Sequence, residues 1–401
     1  MSAIGGVIDF KDGAIDFSVL DSIRKVTCLR GKEKSSAYID VGVGMFCNMD
    51  EFSQCEQPII ADRRGYKSIF LMDSPYLDGN AVFEKYRCMG VDFLGLIDAP
   101  FSLAVYDSER RLFLLARDRE GKKPLYYFAK AGRVYFSSEA KGILETMDRA
   151  SRVDGEALAL HIISPAGVFG AADIYKDVCE VRPGECILFN EVGMSRFFFR
   201  RNVSQKRIAA RNIFKEKDGI LEGYCGIEEY DVKNALSDSL IAFDLPQFHS
   251  EMPMICRLFS SVKEKNSSVF RYRDYSRRTT ARYSNEVDDR LGNFYGVLPS
   301  GVLSRADSDK QEYIDEENKR IYEILQNLFY RNANAHSLDR FLGRGGRDYL
   351  LRFLEEKSAK KEDTEMRIRI LGMLCQLSEW ERLRALDVRC ERNVFESGWL
   401  N

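Results

Sequence analysis

The stretch that most constrains the fold is Phe101–Leu144, which reads FSLAVYDSERRLFLLARDREGKKPLYYFAKAGRVYFSSEAKGIL. Apolar and polar residues alternate in three short runs, and charged or glycine-bearing loops separate them, which predicts three β-strands. The first run ends at Tyr106, the second covers Leu112–Ala116 and the third covers Val134–Ser137. The loop between the second and third runs combines Gly121, which tolerates positive φ, with a proline that fixes φ and lacks an N–H, so the chain must reverse there.

Length and composition restrict the class of protein. The 401 residues are 45% hydrophobic and 30% charged, which is enough to build two domains. A formal charge of −2, from 60 basic and 62 acidic residues, gives no general attraction to nucleic acid or anionic membranes. The ten cysteines include no C-x-x-C pair, so we expect neither a metal site nor a disulfide framework. Without a signal peptide or an apolar run of about 20 residues, we expect a soluble cytoplasmic protein.

Several motifs resemble one known family. The loop R-D-x-x-G-x-x-P-L-Y-Y, the segment FSSEAKGIL and the start MSAIGGVIDF are similar to segments of class II glutamine amidotransferases, above all asparagine synthetases. The resemblance implies an α+β fold, in which an αββα sandwich of the N-terminal-nucleophile type precedes a shortened, mainly helical synthetase-like domain. We expect the amidotransferase-like domain at residues 1–200, a connector at 201–232 and the second domain at 233–401.

The family's nucleophile position is occupied by serine. In the family, removal of the initiator methionine exposes a cysteine whose own α-amine acts as the base. Ser2 stands at this position, and it is small enough for Met1 to be removed. Because a hydroxyl is much harder to deprotonate than a thiol, Ser2 is more readily interpreted as a residue of a structural strand.

The substrate-binding positions of the family are only partly retained. Arg30 and Gly31 match the Arg-Gly of its H-R-G-P-D motif, and Asp78 matches the aspartate that binds the substrate α-amine. A helix N-cap is the simpler interpretation of Asp78. The arginine that binds the substrate carboxylate has no counterpart in residues 44–49.

The oxyanion-hole position is also changed. Met72 and Asp73 stand where the resemblance places the family's Asn-Gly pair. A carboxylate at this point would repel a developing oxyanion, and loss of one donor alone lowers the rate by about 10²–10³. The resemblance therefore implies a degenerate glutaminase site.

The second half lacks the family's nucleotide loop. Neither Ser300-Gly301 nor Ser397-Gly398 continues into the S-G-G-x-D-S sequence that holds pyrophosphate. We therefore expect no ATP, magnesium or other metal cofactor. The last apolar helix, within residues 366–380, nevertheless resembles the final helix of asparagine synthetases.

These patterns leave three functions open. The favoured hypothesis is a catalytically degenerate subunit of an ATP-dependent amide-forming system, which binds an active synthetase-like enzyme or a second copy of itself. The first alternative is an amide hydrolase or amidotransferase with Ser2 as nucleophile, acting on an amide other than free glutamine. The second is residual synthetase activity with ATP supplied by a partner. Membrane binding is not expected, and a surface segment is the preferred interpretation of the arginine- and aromatic-rich residues 270–283 over a nucleic-acid site.

Overall fold

The computed structural model describes residues 2–31, 34–49, 56–147, 153–163, 171–200, 227–250, 252–264, 270–272, 302–304, 311–332, 347–348, 350–352, 354 and 361–385. The chain divides into two compact units. The first contains Met1–Ser151 and Asp177–Ile213, and the second contains Arg152–Lys176 and Phe214–Asn401. No helix among the described residues combines the length and the apolar character that crossing a membrane requires.

The first unit is built around two six-stranded antiparallel sheets. Along the chain its strands are β1 Ala3–Asp9, β2 Lys34–Asp40, β3 Val43–Met49, β4 Ile59–Arg63, β5 Tyr66–Asp73, β6 Ser102–Asp107, β7 Leu112–Arg117, β8 Tyr126–Lys130, β9 Arg133–Ser137, β10 Cys179–Glu180, β11 Glu185–Phe189 and β12 Met194–Phe198. The first sheet has the order β10-β8-β9-β1-β3-β2, and the second has the order β12-β11-β7-β6-β5-β4.

The helices of the first unit cover the outer faces of the sandwich. They are α1 Phe17–Val26, α2 Gly79–Met89 and α3 Ala140–Leu144, with 3₁₀ turns at Cys28–Arg30 and Gly90–Leu96. One apolar core lies between the sheets and contains Ile4, Leu71 and Phe113. Residues of α2 pack with the opposite face of the second sheet, and Leu20 of α1 packs on the outer face of the first. The predicted αββα sandwich is therefore present.

The three strands predicted in the central stretch correspond to β6, β7 and β9, but a fourth strand was missed. Tyr126 and Tyr127, interpreted from sequence as the end of a loop, begin β8. This strand pairs with β9 along its whole length, and the rings of Phe128 and Tyr135 stack across the pair at 6.0 Å. The cross-strand pairing that stabilises β8 is invisible in its own short sequence.

The second unit is mainly helical. Its elements are α4 Gly155–Ile163, α5 Ala171–Ile174, α6 Glu229–Phe243, α7 Met252–Glu264, β13 Phe270–Tyr272, β14 Val302–Ser304, α8 Gln311–Asn332 and α9 Lys361–Ala385. Buried Gln376 of α9 joins several segments, because its amide nitrogen donates to the carbonyl of Leu236 at 2.8 Å and its amide oxygen accepts from Gln247 N–H at 2.8 Å.

Residues 152–176 lie in the second unit, although the expected boundary at residue 200 would place them in the first domain. Their hydrogen bonds explain the difference. The Tyr175 hydroxyl donates to the carbonyl of Asp244 at 2.6 Å and accepts from Trp380 Nε1 at 3.0 Å, while His161 Nε2 lies 2.9 Å from the carbonyl of Pro246. Contacts with residues far along the chain, rather than sequence proximity, decide where this segment packs.

The cysteines differ in part from expectation. Cys28 is disulfide-bonded, whereas the other described cysteines are free thiols: Cys47, Cys88, Cys179, Cys186, Cys256 and Cys375. Spacing along the sequence gives no indication of a cross-link between distant strands and loops.

Candidate active site

The candidate site lies at one end of the first unit, between the two sheets. Ser2 immediately precedes β1 and has the same orientation as Ile4 and Ile8, which belong to the core between the sheets. Asp73 is the last residue of β5 and has the same orientation as Ile69 and Leu71 of that core. Because side chains alternate along a strand, Ser2 and Asp73 both point into the layer between the sheets.

The carboxylate of Asp73 is the centre of this site. It accepts a hydrogen bond from the backbone N–H of Ser2, with Oδ1 at 3.2 Å. Arg30 Nη2 donates to its Oδ2 at 2.9 Å, and Lys123 Nζ forms an ion pair with Oδ1 at 3.5 Å. All four residues are buried, and Asp73 is 0% exposed. Three segments that are far apart in sequence therefore converge on one carboxylate.

Two opposing effects act on the pKa of Asp73. Burial is the largest and raises the pKa, because a charged carboxylate loses its hydration. The positive charges of Lys123 and Arg30 oppose it, and the net result is a pKa below the ordinary value. Asp73 is thus held as an anion between two cations.

The position of Arg30 depends on the close packing of Gly31. Arg30 ends the 3₁₀ turn Cys28–Arg30, and Gly31 follows against the backbone of β3. A Cβ on Gly31 would lie 2.3 Å from the carbonyl carbon and oxygen of Asn48, which no side chain can tolerate. The retained Arg-Gly pair therefore places the guanidinium beside Asp73.

Lys123 is positioned by the loop that follows β7. Buried Asp118 organises this loop, since its Oδ1 accepts from the N–H groups of Glu120 and Lys122 and its Oδ2 accepts from the N–H of Lys123. Gly121 has a φ of +69°, as the reversal in this loop requires. Burial raises the pKa of Asp118 despite these donors. The loop thereby fixes the backbone of Lys123 next to the site.

The backbone of Met72 is already hydrogen-bonded. Its N–H donates to Gln57 Oε1 at 2.7 Å, and its carbonyl accepts from Gln57 Nε2 at 2.9 Å. Gln57 is itself buried. At the position where the resemblance places an oxyanion donor, the N–H of Met72 is therefore not available to a ligand without loss of the Gln57 contact.

Two buried polar atoms near the carboxylate form no hydrogen bond within the described part of the chain. Ser102 is opposite Asp73 in the β5–β6 register, and its Oγ is unpaired; Arg30 Nε is the second such atom. Directly opposed residues have Cβ atoms about 5 Å apart, so Ser102 lies beside the carboxylate.

Asp78 is located at the start of a helix. Its carboxylate accepts from the N–H groups of Asn80 at 3.0 Å and Ala81 at 3.5 Å at the start of α2, which is helix N-capping. The structure thus brings together Ser2, Arg30, Asp73 and the backbone of Met72, with Gly31 in support, whereas Asp78 has a structural role at a helix end.

Sequence reasoning missed Lys123, Gln57 and Ser102 as site residues. Lys123 belongs to the motif-bearing loop and Gln57 precedes Pro58, but neither residue has a spacing that indicates a buried contact. Among the described residues, no group of three or more His, Cys, Asp or Glu side chains is arranged to hold a metal ion.

Comparison with known proteins gives a family match within this region. The profile of the glutamine amidotransferase domain matches residues 73–200, so the match begins at Asp73 and does not include Ser2 or Arg30. Asparagine synthetase [glutamine-hydrolyzing] 3 of Bacillus subtilis is 32% identical over 130 residues, which are 32% of this chain and 21% of that protein. A putative asparagine synthetase [glutamine-hydrolyzing] 2 of Methanocaldococcus jannaschii is 24% identical over 115 residues, 28% of this chain and 22% of the relative.

Solved structures give a much weaker likeness. The glutamine phosphoribosylpyrophosphate amidotransferase of B. subtilis, in complex with ADP and GMP, aligns with a TM-score of 0.37 and 9% identity, covering 76% of this chain and 65% of that one.

The alignments to the curated relatives span only about a fifth of those relatives' lengths.

The first unit is a two-sheet sandwich, and residues 73–200 match the glutamine amidotransferase domain. Over 28–32% of its length, the chain is similar to glutamine-hydrolysing asparagine synthetases.

Proposed function

We propose that the amidotransferase-like unit does not hydrolyse glutamine and that the chain is a non-catalytic subunit of an ATP-dependent amide-forming system. The observation that carries the proposal is the buried carboxylate of Asp73, held between Arg30 and Lys123 beside Ser2. The relatives that are named as glutamine-hydrolysing asparagine synthetases supply the class of reaction.

The first argument is electrostatic. Amide hydrolysis places negative charge on the carbonyl oxygen in the transition state, and enzymes stabilise it with donors aimed at that oxygen. Here an ionised carboxylate occupies this end of β5, and the two nearby cations already compensate its charge. The N–H of Met72 is bonded to Gln57. The positive groups of the site therefore stabilise the carboxylate of Asp73 instead of the oxyanion of a transition state.

The second argument concerns the base. If Met1 is removed, the nitrogen of Ser2 becomes a free α-amine 3.2 Å from Asp73 Oδ1. An adjacent carboxylate favours the protonated ammonium form, and an ammonium cannot take a proton from the serine hydroxyl. Asp73 thus keeps the α-amine from acting as a base, and the hydroxyl of Ser2 is not activated as a nucleophile.

The test compares glutamate release from glutamine by the wild-type chain, Ser2→Cys, and the double variant Ser2→Cys with Asp73→Asn. We expect no glutaminase activity from the wild type or from Ser2→Cys, because the carboxylate remains in place. Hydrolysis of glutamine by either of these two proteins would overturn the proposal. Activity only in the double variant would assign the loss to Asp73.

The subunit role has its own test. A tagged chain purified from the cells that produce it is expected to bring with it a protein that carries an intact ATP loop, and the mixture is expected to form an amide with ATP. A chain that elutes alone under all conditions would overturn the subunit role and leave the glutaminase result unaffected.

One observation favours the alternative of a serine amide hydrolase. Ser2 is buried in a site that also contains Arg30 and Lys123. Mass spectrometry of the mature protein decides this alternative: retention of Met1 leaves no free serine amine and excludes it. If Ser2 is the first residue, hydrolysis of uncharged amides that Ser2→Ala abolishes would support it.

A further inference from the structure

The outer strand of the first sheet is exposed along its length. β2 pairs with β3 through all its residues, from Lys34 opposite Met49 to Asp40 opposite Val43. Every residue of β2 is exposed or half-buried. No described residue other than those of β3 hydrogen-bonds to its backbone. A strand of this length with a free edge is able to pair with another strand.

The edge of the second sheet lies on the same side of the sandwich. Lys67 Nζ of β5 contacts Asp40 Oδ2 of β2 at 2.9 Å, and Lys34 at the other end of β2 forms an ion pair with Glu56, just before β4. Apolar residues near these contacts are exposed in β2, in the turn after it, and in β4 and β5: Ile39, Val41, Ile60 and Tyr66. Exposed apolar residues beside an open strand edge favour association.

We propose that this edge binds a second copy of the chain, with the two β2 strands paired antiparallel about a two-fold axis at Ala37. In this register Ala37 is opposite its own symmetry mate, and Lys34 is opposite Asp40 of the second copy. A two-fold interface requires such a self-complementary surface. The sequence KSSAYID is self-complementary in charge, because its basic and acidic ends exchange places across the axis.

The surrounding charges support the same pairing. Glu56 lies beside Lys34, and Lys67 lies beside Asp40, so the dimer would place acidic and basic groups in alternation along each end of the new strand pair. Opposite charges facing each other across antiparallel strands are stabilising, and like charges are destabilising. In this register the two larger apolar residues, Tyr38 and Ile39, are opposite Ser36 and Ser35 of the second copy, so no two bulky side chains face each other.

The other exposed edge does not have this property. β12 ends the second sheet, and its residues Met194 and Phe198 are exposed. Antiparallel self-pairing of β12 about its centre would place Arg196 opposite Arg196 of the second copy. Self-association is therefore assigned to β2.

The test uses residue 37, which faces itself only in the proposed dimer. Sedimentation of the full-length wild-type chain across a wide concentration range is expected to show a monomer–dimer equilibrium. Ala37→Lys and Ala37→Glu each place like charges on the axis, and we expect each to weaken dimerisation by about tenfold or more. An equal mixture of the two variants is expected to recover dimers, because lysine then faces glutamate.

Val192→Lys is the control, since Val192 is 97% exposed in the turn between β11 and β12 and its replacement is expected to leave dimerisation unchanged. Far-UV circular dichroism identifies any variant that has lost the fold, and the recovery of dimers in the mixture excludes misfolding as the cause. A wild-type chain that is monomeric at every concentration would overturn the proposal. So would single variants that dimerise as well as the wild type, or a mixture that remains monomeric.

Discussion

At the scale of single residues, Asp73 changes the chemistry of the site more than Ser2 does. Ser2 contributes a neutral hydroxyl, whereas the buried carboxylate of Asp73 fixes the charge at this end of the layer between the sheets. Arg30 and Lys123 approach it from separate segments, so the three side chains depend on one another. Removing one member of a buried ion cluster leaves the others without compensation.

Asp73→Asn is expected to lower the free energy of unfolding by about 3 kcal/mol or more, because two cations remain buried without a counter-ion. The variant also changes the pH dependence. The pKa of Asp73 is lowered on folding, so its contribution is present above the ordinary pKa near 3.8 and disappears as the pH falls through the lowered value. Asp73→Asn is expected to lack this acid-side loss. Urea unfolding followed by far-UV circular dichroism measures both effects.

Asp78→Asn provides the control for this substitution. Asparagine caps a helix about as well as aspartate, so the same chemical change at the start of α2 is expected to alter stability by less than about 0.5 kcal/mol. Equal stability of Asp73→Asn and the wild type would show that the ion cluster does not contribute.

At the scale of elements, two glycines allow neighbouring segments to pack more closely than any side chain would permit. Gly31 allows the 3₁₀ turn to pack on β3, and in the second unit Gly372 of α9 allows Phe248 to pack on the helix. A Cβ at residue 372 would lie 2.3 Å from Cδ1 of Phe248, whose side chain is fully buried. Glycine forms helices less readily than alanine, so Gly372 lowers the intrinsic stability of α9 but allows the close packing of Phe248.

Gly372→Ala separates these two effects. Helix propensity alone would stabilise the variant by about 1 kcal/mol, whereas overpacking against Phe248 costs about 1–3 kcal/mol, so we expect a net loss of stability. Denaturant unfolding followed by far-UV circular dichroism, which reports on both units, measures the change. Gly193→Ala is the control, because no atom lies within 4 Å of the added Cβ and the effect should be small. Stabilisation of Gly372→Ala would refute the packing argument.

At the scale of the whole molecule, the two units are expected to respond differently to acid. Trp380 is buried in α9 of the second unit, and the residue ranges of the first unit contain no tryptophan, so tryptophan fluorescence does not report on the first unit. The second unit also contains His161, where burial lowers the pKa to about 4. The folded unit therefore keeps this histidine neutral at a pH where the unfolded chain takes up a proton.

This difference sets the sign of the pH effect. The contribution of neutral His161 to the stability of the second unit is fully present above the ordinary histidine pKa near 6.5. This contribution is lost as the pH falls toward about 4. His161 alone accounts for a loss on the order of 3 kcal/mol over this range. Urea midpoints from tryptophan fluorescence at a series of pH values test it, and His161→Asn is expected to reduce the slope. Some slope remains in the variant, because burial also lowers the pKa of His249. An unchanged slope would contradict the assignment.

Much of the first unit could be predicted from local patterns. Alternating apolar residues predicted β6, β7 and β9, and the glycine and proline of the intervening loop predicted its reversal. Asp78 before an apolar helical segment was interpreted as an N-cap, and its carboxylate caps α2. Each of these features depends on interactions within a few residues, so the sequence of the segment contains the necessary information.

Other features depended on contacts between distant segments. The sequence by itself determined that Ser2 and Asp73 stand where the family resemblance places a cysteine and an oxyanion-hole residue, because identity at a position is a property of the chain alone. Only the tertiary structure decided that Arg30 and Lys123 form ion pairs with Asp73 and that Gln57 hydrogen-bonds to the backbone of Met72. The packing of residues 152–176 in the second unit was likewise decided by the tertiary structure. The physical reason is that a buried charge or strand edge is stabilised by whichever partner the folded chain brings near, and the spacing of residues along a sequence does not specify that partner.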